Sequence, residues 1–381
     1  MSTHVRKPAL PALSGIRTPL AICIIFFHFT PPHLQMLYPI INTGFVFVGF
    51  FFLISGFILT YNYAERAETM SKRDFWVARG SRLYPVYLFS LLLFGWSFVP
   101  AEWRSHTHHD FWLGMTLTPL LLHGWFPWLA TFWNTVAWTL SCEAMLYVAF
   151  PWLNRIHWPK TAGKLIALGL VIWLLGLIPH TLYLVLNPDH LTAPADRYTS
   201  MFWIRMLKFT PLPYLATFLV GLLLGRLHPL LGEDQRKRLA MASMGLTLAL
   251  VFLYGFATRV PYILEHGGIM TPIFALVILG LAGEHALTKV FGWKPLVVLG
   301  DATYCLYLLH FDAFILIHLN HWPEKLHVTA LDPWISYVTV IALALAANRW
   351  IEMPGKNFVL RMFKEGRVGK QMAKSEALTN L

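Results

Sequence analysis

A chain of 381 residues is long enough for two soluble domains, but 56% apolar and only 13% charged residues exclude that class, because a soluble domain carries about 25% charged residues. The formal charge of +11 does not point to nucleic acid, because the basic residues gather in short loops between apolar runs rather than on one continuous face. The three cysteines, Cys23, Cys142 and Cys305, lie far apart inside apolar runs with no CxxC, so they read as small buried residues rather than disulfides or metal ligands.

A helix needs about 20 apolar residues to cross the hydrocarbon layer. Runs of near that length fall, in chain order, at 13–29, 44–61, 83–99, 137–153, 165–186, 214–227, 239–256, 269–287, 296–317 and 334–347. The first residues lack the apolar core and cleavage site of a signal peptide, so the first run is expected to remain as a span. A further stretch, 111–122, is short and interrupted by Gly114 and Pro119.

Charge decides how that stretch is read. With the N-terminus inside and 111–122 re-entrant or interfacial, 24 of the 30 Lys and Arg fall in inner segments. Only Arg104, Arg197, Arg205, Lys208, Arg259 and Lys325 remain outside. A span at 111–122 would invert everything after it and destroy this asymmetry. The predicted fold class is therefore all-α: a polytopic integral membrane bundle of about ten transmembrane helices, both termini cytoplasmic. A cytoplasmic segment, 1–12, precedes one membrane domain, 13–354, and a basic cytoplasmic tail, 355–381, is expected on the inner leaflet or partly disordered.

Ionisable residues inside such spans are costly, and each becomes a functional candidate whose partner must be found. Arg17 and His28 are eleven residues apart, so a continuous helix puts them on one side, roughly 16 Å apart along its axis. Pro19 suits the first helical position, which would leave Arg17 just outside the helix, snorkelling at the inner interface. Arg79 and Arg82, three apart, share a helical face at the inner mouth of the third span. Their planar forks suit phosphate, although on this motif alone ordinary positive-inside anchoring is the favoured reading. Ser55 lacks the turn of a serine nucleophile, and with Gly49 and Gly56 it reads as a close-packing surface. Glu143, inside the fourth span, suits pairing with an arginine, orienting a histidine or proton transfer. Tyr304, Tyr307 and His310 follow one another in the ninth span, and Glu352 stands just past the tenth. His106, His108 and His109 form an outer cluster without the helical spacing of a metal site, so no metal is predicted.

Taken in order, these segments resemble the membrane acyltransferase-3 family of bacterial O-acyltransferases. Arg17 and His28 match its Arg-ten residues-His signature, and Ser55-Gly56-Phe57 its Ser-Gly-Phe. Arg79 and Arg82 with Tyr84-Pro85 match its Arg-x-x-Arg with trailing Tyr-Pro. Trp138 to Glu143 looks like its Trp-Ser-Leu-Ser-x-Glu, Tyr304 to His310 like its Tyr-Ser-x-Tyr-x-x-His, and Glu352 with Pro354 like its closing Ile-Glu-x-Pro. The departures are Ser14 for the usual Asp, Ala144 for a second acidic residue, and Thr18-Pro19 after Arg17.

The resemblance implies transfer of an acyl group, acetyl by default, from acyl-CoA to a hydroxyl of an extracytoplasmic or lipid-linked glycan, or of a small molecule, in the bacterial cytoplasmic membrane. Arg79 and Arg82, helped by Arg17, would bind acyl-CoA as co-substrate, with no resident cofactor. His28 would act as general base or acyl carrier, with Glu143 beside it in the chemistry. Ser55, Tyr84, Trp138, Tyr304, Tyr307, His310 and Glu352 would support the site. The acceptor would arrive from outside, near the loops around residues 102–133. Membrane lipids surround the protein, and a homo-oligomer is possible. Some relatives carry a C-terminal hydrolase-type domain, so this chain is expected to complete transfer itself or to hand over to a separate extracytoplasmic partner. A proton-coupled transporter using Glu143 and His28 is the main rival, but the paired repeats of such folds are missing. A membrane scaffold that binds without turnover is another.

Overall fold

The computed structural model describes residues 7–365, all in helices and connecting segments, with no strand among them. Arg6 and the basic residues of 366–381 lie outside the described residues. Eight helices are long and apolar enough to cross a membrane, and a pair bent by 64° makes a ninth. In chain order, α1 is Pro11–His28, α2 Val46–Arg66 and α3 Lys72–Ser105. The shorter α4 is Trp138–Leu153, followed by α5 Ala162–Leu186, α6 Leu212–Leu231, α7 Gln235–Gly255 and α8 Tyr262–Leu281. The bent α9 joins Lys294–Asp301 to Thr303–Leu319, and α10 is Trp334–Glu365.

All ten predicted runs lie on helices, but α3 and α10 extend well past the expected ends, and α4, though as long as expected, is short for a span. α4 has 16 residues, roughly 24 Å of rise, which falls short of a full hydrocarbon crossing. α3 runs for 34 residues, starting eleven residues before the predicted span, because Ser71 caps it by accepting from the Asp74 amide at 3.2 Å. α10 does not stop at residue 347. It passes through a π-helical turn, Asn348–Glu352, and carries the first part of the expected tail on as helix to Glu365.

The connections gather on two opposite faces. On one, Lys7 pairs with Glu65 at 2.8 Å, Arg155 donates to the Ala67 carbonyl at 3.0 Å, and Arg226 donates to that of Asn154 at 2.7 Å. The end of α10 returns to this face, where Arg73 sits over the Phe363 ring. On the other, Arg197 donates to the Phe27 carbonyl at 2.5 Å, Tyr337 to that of Phe29 at 2.6 Å, and Arg205 to that of Pro127 at 2.8 Å. Both described ends of the chain therefore share one face.

The segment 111–122 does not cross. A ten-residue helix, His108–Leu117, gives way to irregular backbone that runs to Trp138. Irregular backbone at membrane depth survives only where protein covers it and supplies hydrogen bonds. Here the Tyr87 hydroxyl donates to the Thr118 carbonyl, Asn134 donates to that of Leu308 at 3.1 Å, and Ser141 accepts from the Gly124 amide at 3.2 Å. Leu121, His123, Leu129, Ala130 and Phe132 are buried.

Two large apolar cores form, with two small clusters besides. One is built mainly from α1, α2, α4, α6 and α8, the other from α1, α3, α9 and α10. Glycines set the spacing in the first: a Cβ at Gly221 would lie 2.0 Å from the Leu53 carbonyl oxygen, and one at Gly56 would lie 2.3 Å from that of Phe218. Gly49, expected in the same contact, faces open space. Gly221→Ala should therefore destabilise the bundle by about 1–3 kcal/mol through overpacking, read as earlier thermal unfolding in detergent micelles. Gly49→Ala should leave the melting temperature unchanged.

Candidate active site

A cavity of about 920 Å³, its open mouth included, lies at the seam between the two cores. It is lined by Arg17 of α1, Ser55 of α2, Arg79 and Arg82 of α3, Glu143 and Tyr147 of α4, and Tyr304 and Tyr307 of α9. Five helices that are remote in sequence thus place seven of the predicted residues around one space. The wall along α2 extends from Leu59 to Val48, a depth of roughly 16 Å at helical rise.

The cavity is electrostatically lopsided, with three guanidinium groups and one carboxylate on its wall. Glu143 accepts from the Tyr147 hydroxyl and interacts with Arg82, Arg79 and Arg17. Arg82 lies 3.8 Å from Glu352. Glu352 is buried behind it and held by Asn348 at 2.9 Å and the Cys305 thiol at 3.1 Å. Arg79 donates to the Tyr63 hydroxyl at 3.2 Å and lies within 6.0 Å of the Tyr63, Phe75 and Tyr147 rings. Even so, the Nε atoms of Arg17 and Arg79 are buried without a hydrogen-bond partner. Buried donors left unmade are costly, and aligned guanidinium forks suit a phosphate. Arg17 is the first residue of its helical stretch, Arg17–His28, and turns into the cavity instead of snorkelling to an interface.

His28 does not line this cavity. Its ring lies 5.3 Å from that of His310 and 5.1 Å from that of Phe311. His310 connects it to the cavity, because its ring is 5.8 Å from that of the lining residue Tyr307. The Nδ1 of His310 contacts the Tyr307 carbonyl at 2.6 Å. A carbonyl only accepts, so that nitrogen carries the proton and the lone pair lies on Nε2, which is buried without a partner. His28 and Glu143, candidates for one proton-transfer pair, have separate sets of neighbours: tyrosine and arginines around Glu143, histidine and phenylalanines around His28.

The other supporting residues divide. Tyr304 lines the cavity and ties α9 to α3 by donating to the Leu83 carbonyl at 2.6 Å. Ser55 lines it too, on the side of α2 away from the Gly56 packing surface. Trp138 is buried between the rings of Phe209 and Tyr214, and Tyr84 is 36% exposed on the outside of α3. Sequence reasoning passed over Tyr147, although its i+4 spacing from Glu143 marks it as a face-sharing partner. Asp312, buried in α9 beyond His310, was also passed over. The outer histidines do not converge: His106 contacts Glu102 at 3.1 Å, His108 packs on Trp103, and His109 lies 3.5 Å from Asp110.

Comparison with known proteins agrees with the family resemblance. Peptidoglycan O-acetyltransferase OatA of Listeria monocytogenes is 22% identical over 95% of this chain and 58% of its own length, so the chain spans about three fifths of that relative. Acyltransferase MdmB of Streptomyces mycarofaciens is 25% identical over 80% of this chain and 79% of its own. No solved structure matches. A family model described as an acyltransferase domain matches residues 10–351, which takes in every motif from Arg17 to Tyr307 and the helices that carry them, and on that match the chain belongs to this acyltransferase family.

Proposed function

We propose that the chain transfers an acyl group, acetyl in the first instance, from acyl-CoA to a hydroxyl of a glycan on the far side of the bacterial cytoplasmic membrane. The observation that carries this reading is the arginine-rich cavity with two buried, unpartnered guanidinium donors, whose lining residue Tyr307 neighbours a histidine pair. Arg17, Arg79 and Arg82 take the phosphates of CoA at the cytoplasmic end, where the positive-inside count puts them. The acyl arm runs along α2 past Ser55 toward Tyr307, His310 and His28. The name of the Listeria relative supports acetyl as the group and a glycan as the acceptor.

In the transfer, the acceptor oxygen attacks the thioester carbonyl and gives up its proton to His28. The C–S bond breaks as the ester C–O bond forms, and the thiolate takes up the proton and leaves as free CoA. Glu143, fixed by Tyr147 and surrounded by arginines, keeps the three guanidinium groups from repelling one another and stands at the donor end of the site. Glu352 holds Arg82 from behind, so its part is to position that arginine.

Two measurements test the halves of the site separately. In nanodiscs, acetyl-CoA should raise the melting temperature of the wild type, and Arg79→Ala with Arg82→Ala should abolish that rise. Equal stabilisation of the double variant would reduce the pair to topological anchors. His28→Ala should lower acyl transfer by about 10²–10⁴-fold while acetyl-CoA still stabilises the protein. Transfer at the wild-type rate would remove His28 from the chemistry.

A further inference from the structure

On the face opposite the arginines, an open cleft of about 760 Å³ lies between the irregular segment after residue 118 and the segment around residues 200–205. Its rings are Trp128, 44% exposed, and Phe202, 49% exposed. Exposed aromatics on a membrane protein are usually interfacial anchors free to turn, but Trp128 is held. Its indole donates to Asp110 at 3.2 Å and packs edge-on against Phe126. Thr107 hydrogen-bonds the Asp110 carboxyl and keeps it below the usual carboxylate range, so the acceptor for that indole stays ionised.

The rim of the cleft carries both kinds of hydrogen-bonding group. Arg205 donates to the Pro127 carbonyl at 2.8 Å, to the Ser200 hydroxyl at 3.2 Å and to the Thr131 hydroxyl at 3.1 Å. A guanidinium has five N–H groups, so donors remain beyond these contacts. The Nδ1 of His106 faces the Glu102 carboxylate at 3.1 Å and the Glu102 carbonyl at 3.3 Å. That nitrogen therefore carries a proton, and the Nε2 edge of the ring is left for a ligand. Glu102 is itself fixed by the Trp133 amide at 3.0 Å. A sugar ring presents an apolar C–H face and a rim of hydroxyls that both donate and accept, and this cleft is its complement: aromatic walls, with guanidinium, hydroxyl and imidazole at the edge.

We propose that this cleft is the acceptor subsite, binding a pyranose ring of the glycan between Trp128 and Phe202 with its hydroxyls on Arg205 and His106. The assignment rests on the transfer reading above. Membranes holding the protein and their endogenous glycan, supplied with radiolabelled acetyl-CoA, test it. Trp128→Ala and Phe202→Ala should each lower label in the glycan about tenfold at limiting acceptor, the size of a lost aromatic anchor. Stabilisation by acetyl-CoA should stay at the wild-type value. Trp112→Ala, which removes an exposed ring outside the cleft, should label as wild type. If both cleft variants label the glycan as wild type does, the subsite is wrong and the transfer reading stands. If wild type is neither stabilised by acetyl-CoA nor labels any glycan, the transfer reading falls and takes the subsite with it.

Discussion

Three guanidinium groups on one wall between apolar spans set the terms for the rest of this bundle. Insertion scales put the cost of one such charge at about 2.5–3.5 kcal/mol at a helix centre, so three cannot be left facing lipid. The protein encloses them with Glu143 and Tyr147 from α4, Glu352 from α10 and Tyr63 from α2. Each partner is secured in turn, Glu352 by Cys305 and Asn348, and Tyr304 bonds α9 to α3 alongside. Charge compensation thus dictates which helices must meet, and the glycine contacts of α2 with α6 bring the remaining wall in close.

Compensation is incomplete, and that is its functional content. A fully paired cluster would be a structural knot with nothing to offer a ligand. Here the wall keeps an excess of guanidinium over carboxylate, and two Nε donors face no acceptor. The histidine pair lies outside this lining, beyond Tyr307, among aromatic rings. In the proposed reaction, this separation lets the arginines hold a polyanion without their field bearing directly on the residue that must accept a proton.

The spans were legible in the sequence because the bilayer permits only long apolar helices, and the lysine and arginine count settled the one ambiguous segment. Their ends were not. Ser71 starts α3 among polar residues, and the π turn at Asn348–Glu352 extends α10 through a stretch whose composition resembles a tail. Residues of the site were legible where chemistry betrays them, as with a glutamate or paired arginines inside an apolar run. Pairings across helices were not: the contacts of His28 with His310 and of Arg82 with Glu352 join residues hundreds of positions apart. Neighbours in a motif also diverge in space. Tyr84 follows Arg82 by two, a spacing that puts side chains on different faces, and it points away from the cavity that Arg82 lines.

The irregular stretch before α4 carries a backbone cost. Leu121 and Trp133 adopt positive φ values of 59° and 68°, a region in which bulky side chains cost about 1–3 kcal/mol each. Trp133 is pinned there by its amide on Glu102 and its indole on the Leu91 carbonyl, and Leu121 by burial. A regular helix through the same residues would satisfy its own backbone without such strain. It would also carry the chain across the membrane, put Arg155, Lys160 and Lys164 on the wrong face, and turn Glu143 end for end relative to the arginines. The strained path keeps α4 in the one direction that points Thr139, Leu140 and Glu143 into the cavity, while Pro127, Trp128 and Thr131 stay together on the opposite face.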